Sequence, residues 1–144
     1  MTLDRDYDAI RSGLNAAGAD LLPGHMGLEV LELAMARARI RCDLKPHHLA
    51  PNGYLHAGTV ITIADTAAGY GCIANMPEGA TGFTTIEMKA NFLGTLLEGA
   101  IVAEADMVHG GRTTQVWDAI VRDEPTGKTL AMFRCTQLIL YPRA

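Results

Sequence analysis

A chain of 144 residues that is 49% hydrophobic and 19% charged has enough apolar side chains for one folded core, and this excludes a disordered polymer. The formal net charge is −4 and no run of Lys or Arg stands out, so the electrostatic footprint of a nucleic-acid or anionic-membrane binder is missing. Cys42, Cys72 and Cys135 are odd in number, far apart and without a C-x-x-C pair, which fits reduced thiols in the core of a cytoplasmic protein.

The first residues, Met1-Thr-Leu-Asp-Arg-Asp, lack the charged-then-apolar layout of a signal peptide. From Asp4 to Ala17, Tyr7, Ile10 and Leu14 recur at helical spacing with Asp4 as a candidate N-cap. Pro23-Gly24 is expected to end this helix, so residues 1–22 read as a helical extension of a single domain spanning 1–144. From Gly27 an apolar run begins. Val30 to Ala36 fits strand or helix, whereas Arg37 to Leu44 alternates charged and apolar residues with the period of two of a half-exposed strand.

Pro46 to Gly53 reads as a loop, and about Ala57 to Asn75 as the main helix. That helix is rich in small residues, and its glycines cost helix propensity, a cost that is useful only where a neighbouring backbone or sheet comes very close. Residues 57–76 are apolar enough to suggest a membrane span, but Asp65 in the middle would cost about 3 kcal/mol there. After Pro77-Glu-Gly79, four strands are expected: Thr81–Leu93, Ala100–Val108, Thr113–Arg122 and Lys128–Leu140. Gly110-Gly111 and Asp123 to Gly127 serve as hairpin turns. Helices early and a strand meander late imply an α+β domain, with an antiparallel sheet wrapped around one long apolar helix.

Chemistry concentrates at Asn52-Gly-Tyr-Leu-His-Ala-Gly-Thr and the Asp65 that follows. A helix that opens at Ala57-Gly58 offers backbone N–H groups without intrahelical partners and the positive end of the helix dipole. Such an end suits a carbonyl oxygen that is becoming negative. An acid on an apolar helix costs free energy unless something pairs or uses it. At 1.5 Å per residue, Asp65 lies roughly 10–14 Å from the Ala57 and Gly58 amides, so one carbonyl cannot meet both on the same helix. Either Asp65 takes no part, or a second copy supplies it across a twofold axis, giving two composite sites per dimer.

Ala50-Pro-Asn-Gly-Tyr-Leu-His-Ala-Gly58, Ala64-Asp65 and Thr85-Ile-Glu-Met-Lys-Ala-Asn-Phe-Leu93 resemble the hotdog-fold acyl-CoA thioesterases of the phenylacetate-pathway (PaaI-like) group, from about Gly27 to the end. The resemblance implies that the Ala57 amide polarises a thioester carbonyl and that Asp65 of the partner subunit acts as general base or nucleophile. It further implies that Thr85 helps to place the attacking water and that His56 steadies the loop. It implies a homodimer or homotetramer acting on acyl-CoA with no separate cofactor, since coenzyme A is part of the substrate. Two departures stand out: Ala57 replaces a common Gly, and Ala50 takes the place of an Asn that Asn52 would have to replace. Arg112 is a candidate for a coenzyme A phosphate, with Lys89 and Arg143 behind it.

Glu87 is expected on the same strand face as Thr85, as a surface-paired residue or a second acid. His47-His48 has no third ligand at useful spacing, so a polar loop pair is expected rather than a metal site. Two other functions compete with thioester hydrolysis: a dehydratase or hydratase using His56 with an acid, and a non-catalytic acyl-CoA binder.

Overall fold

The computed structural model describes residues 4–144. Two helices open it, α1 (Tyr7–Gly18) and α2 (Leu22–His25). Asp6 caps α1 by accepting a hydrogen bond from Ala9 N–H at 2.9 Å, so the cap is Asp6 rather than Asp4. Pro23 and Gly24 lie inside α2 instead of ending α1, because a proline is tolerated in the first turn of a helix.

The strands are β1 (Leu28–Ala34), β2 (Arg37–Asp43), β3 (Gly82–Phe92), β4 (Ala100–Gly110), β5 (Thr114–Asp123) and β6 (Thr129–Leu140). They form one antiparallel sheet in the order β1-β2-β4-β5-β6-β3. Val30 to Ala34, open between helix and strand on sequence, is strand. Ala36 turns the β1–β2 hairpin with φ of 58°, and its N–H donates to Asn75 Oδ1 at 3.0 Å.

The long helix α3 (Ala57–Ala74) lies across the inner face of the sheet and contacts all six strands. Ile63, Ala64, Ala67, Ala68, Cys72 and Ala74 are fully buried on it, against Ile40, Ala103, Trp117 and Val121 of the sheet. The small residues allow this approach. A Cβ on Gly71 would stand 2.7 Å from the Trp117 ring, and one on Gly69 would stand 3.0 Å from Phe83. Asn75 closes the helix. Its side chain donates to Ala34 O and Gly71 O and accepts from Ala36 N–H, tying the β1–β2 turn to the helix end. Cys42, Cys72 and Cys135 are all free and buried.

The two sheet edges differ. On β1, Asn15 of α1 accepts from Val30 N–H at 2.9 Å and donates to Val30 O at 3.3 Å, so its amide takes the place of a neighbouring strand. On β3, Ile86 (55% exposed), Met88 and Phe92 are open to solvent beside an uncovered strand edge, as is Leu93 just after it.

Candidate active site

The loop before α3 is fastened at several points. Pro46–His48 forms a single 3-10 turn, and His48 is buried beneath it. Its Nδ1 accepts from Lys45 N–H at 2.8 Å, so the proton sits on Nε2, which donates to Met26 O at 2.8 Å. Burial pushes the His48 pKa down. The His48 carbonyl accepts from His56 N–H at 3.1 Å and from the Thr59 hydroxyl at 2.8 Å, which fixes where the helix starts. Leu55 N–H donates to Thr95 Oγ1 at 3.0 Å. His48 is thus a structural post, a role its sequence position beside Pro46 did not disclose.

α3 starts at Ala57 with His56 as its N-cap. His56 Nδ1 accepts from Gly58 N–H at 2.7 Å, and His56 O accepts from Thr59 N–H at 3.0 Å and Val60 N–H at 3.3 Å. Of the first four helix amides, only Ala57 N–H has no acceptor among the described residues, and Ala57 is exposed. The helix end therefore offers one aimed donor, not two: Gly58 is occupied by the histidine. The same contact explains the glycine, since a Cβ there would lie 2.9 Å from His56 Nδ1.

Asn52 sits in the tight turn before this point, its Oδ1 accepting from Tyr54 N–H at 3.2 Å, while Ala50 N–H donates to Tyr54 O at 2.7 Å. Asn52 makes no hydrogen bond to His56 or to the helix amides among the described residues. The turn, the helix start and the end of β3 enclose a cleft of about 550 Å³ lined by Asn52, Tyr54, His56, Ala57, Val60 and Phe92.

Asp65 lies two turns into α3 on the partly exposed stripe that also carries Gly58, Ile61 and Thr62. Its Oδ1 is 3.4 Å from Thr85 Oγ1 of β3, and burial raises its pKa. No Arg, Lys or His forms an ion pair with it among the described residues. Thr85 in turn donates to Gln137 Oε1 of β6 at 2.7 Å. Gln137 is fully buried. Sequence reasoning passed over it, because an inward glutamine on a strand has no motif around it.

Glu87 does not share the face of Thr85. The β3–β6 register slips at Ile86, so Thr85 pairs with Gln137 and Glu87 with Thr136. This bulge turns Glu87 outward, where Thr136 donates to its Oε2 at 3.4 Å. Lys89 shares a separate shallow cavity on the outer face with Asp118 and Arg134. Arg112 lies in the β4–β5 turn, with its guanidinium 4.8 Å from the centre of the Tyr141 ring. It opens onto a cavity with Arg5, Asn75 and Glu78 at the C-terminal end of α3. Within one chain, then, His56, Ala57, Gly58 and Asn52 gather at one end of α3, Asp65 and Thr85 sit mid-helix, and Lys89 and Arg112 belong to neither group. No helix among the described residues is long and apolar enough to cross a membrane.

Comparison with known proteins agrees with this architecture. Residues 52–130 match the family described as the Thioesterase superfamily. A 1,4-dihydroxy-2-naphthoyl-CoA hydrolase of Listeria monocytogenes is 32% identical over 77% of this chain and 89% of its own length. A thioesterase from Haemophilus influenzae superposes with a TM-score of 0.84 at 22% identity, covering 91% of this chain and 90% of that one. The phenylacetic acid degradation protein PaaI of Thermus thermophilus superposes at 0.76 with 25% identity, over 84% of this chain and 100% of its own. The chain belongs to the thioesterase superfamily as a hotdog-fold thioester hydrolase.

Proposed function

We propose that this protein hydrolyses an acyl- or aryl-CoA thioester to the free acid and coenzyme A, in sites shared between two copies of the chain. The observation that carries this reading is the single open amide at Ala57 with the partly buried Asp65 eight residues further along the same helix. Eight residues of helix span about 12 Å, too far for one thioester carbon and its oxygen. A twofold axis near Ile61 with antiparallel helices sets Asp65 of one subunit beside Ala57 of the partner subunit. The uncovered β3 edge with Ile86, Met88 and Phe92 supports the same pairing, because an open apolar edge is a liability unless another strand covers it.

The thioester oxygen then accepts from Ala57 N–H while Asp65 of the other subunit takes a proton from a water that attacks the carbonyl carbon. The C–S bond breaks, and the proton held by Asp65 passes to the departing thiolate, which leaves the free acid, coenzyme A and the ionised carboxylate. Each oxyanion donor of this type contributes about 3 kcal/mol. Coenzyme A is part of the substrate, and the step needs no further cofactor. The dehydratase alternative loses ground because the lone pair of His56 is occupied by Gly58 N–H, leaving the histidine nothing with which to abstract a proton.

The cleft walls Tyr54 and Phe92 suit a flat or apolar acyl group, and the names of the Listeria and Thermus proteins put aromatic acyl groups first in order of test. The experiment is thiol release from a panel of aryl- and medium-chain acyl-CoA esters by the parent protein and Asp65→Asn. Turnover of at least one ester and a loss of kcat of about a hundredfold or more in the variant are expected. Near-parental turnover by Asp65→Asn on the best ester would refute the mechanism.

A further inference from the structure

Thr85 has one hydroxyl proton and two oxygen neighbours, Gln137 Oε1 at 2.7 Å and Asp65 Oδ1 at 3.4 Å. The shorter contact has the length of a strong O–H···O bond, and the longer one is at the margin of any hydrogen bond. The orientation of the Gln137 amide is the one that gives its oxygen the Thr85 hydroxyl as donor. With Oε1 toward Thr85, Nε2 faces Cys135 Sγ at 3.3 Å and donates to it, so both ends of a fully buried side chain are used. Gln115, its register partner on β5, serves packing instead, bridging Trp117 Nε1 and Asn75 O.

We propose that Gln137 is a positioning residue that takes the only hydroxyl proton of Thr85, so that Thr85 and Asp65 present acceptors alone to the attacking water. This deepens the thioesterase reading above and rests on its assignment of Asp65 as base. A water between two acceptors 3.4 Å apart reaches both, donating one hydrogen to Thr85 Oγ1 and the other to the Asp65 carboxylate. Its lone pairs are left to face the thioester carbon. A threonine free to turn its proton toward Asp65 would instead stabilise the carboxylate and lower its basicity. The titratable groups facing this pocket are Asp65 on α3 and Cys135 on β6, with Cys72 of α3 behind Cys135. Burial pushes both thiols up to about 12, so neither changes charge near neutrality.

The test compares pH profiles of kcat and KM for the parent, Gln137→Met, Thr85→Val and the double variant, on the best ester. Gln137→Met keeps the volume and removes the acceptor. Kcat is expected to fall about tenfold with KM within about twofold. The acid limb of the kcat profile should move to lower pH as the freed hydroxyl turns to Asp65. In the Thr85→Val background the Gln137 substitution should have little further effect, because the hydroxyl it governs is gone. If Gln137→Met fails to fold, Gln137→Asn, which retains an amide but is too short to reach Thr85, is read in the same way. An unmoved acid limb, or additive losses in the double variant, would overturn the proposal. Loss of activity in Asp65→Asn together with either of those results would reject the role of Gln137 alone. Retained activity in Asp65→Asn would reject the underlying mechanism.

Discussion

Asp65 is a half-buried carboxylate beside Thr85 with no cation paired to it among the described residues, an arrangement that costs stability and that the proposed reaction would use. Its pKa is raised in the folded state, so its contribution to stability is present below the unfolded value and lost as pH rises through the folded one. Asp65→Asn should therefore unfold at a higher temperature than the parent at pH 8, with the gain shrinking toward pH 4. Thermal melts across that range check it, and an unchanged or lower melting temperature at pH 8 would oppose it. His48 works in the other direction. Its pKa is depressed by burial, so its stabilisation is complete above the unfolded value of about 6.5 and is lost as pH falls below it. Urea unfolding should show stability dropping between pH 7 and pH 5, with that part of the slope absent in His48→Gln. The roles of these two residues differ in how far the sequence discloses them. An acid alone on an apolar helix is conspicuous, whereas a histidine in a polar loop looks the same whether it is solvated or buried as a post. Gln137 was invisible for a similar reason, since its meaning comes from Thr85, 52 residues away.

At the scale of elements, α3 was legible from its long apolar, small-residue run, and the strand meander from alternation between turn signals. The small-residue surface of α3 has a specific cause in Trp117. Gly71→Ala would drive a methyl group against that fully buried ring and should destabilise the protein by about 1–3 kcal/mol, measured by urea unfolding. No loss would mean that the ring has room to move. The short elements were less legible. Pro23-Gly24 reads as a stop signal, yet Pro is also at home in the first turn of α2. The face of Glu87 was misjudged because alternation assumes a regular strand, and the bulge at Ile86 reverses it halfway along β3. Beyond the bulge, Met88 and Ala90 instead of Glu87 and Lys89 share the face of Thr85, opposite Cys135 and Phe133, with Met88 still exposed at the open edge.

The whole molecule has one edge capped by the Asn15 amide and the other left open, and the proposed pairing of two copies rests on this asymmetry. If sites are shared between two chains as proposed, a charge on the open edge, Met88→Lys, should shift the protein toward monomer in light scattering and reduce turnover at least tenfold. A monomer of parental activity would contradict this. The most direct measurement is complementation between two inactive variants. Asp65→Asn retains the Ala57 donor, and Ala57→Pro retains Asp65 but removes that N–H at the first helical position, where proline is tolerated. Unfolded together in equal amounts and refolded, half of the dimers are mixed. Each mixed dimer holds one site with an intact Ala57 amide facing an intact Asp65, so about a quarter of parental activity should return. A mixture as inactive as its components would contradict a site shared between subunits.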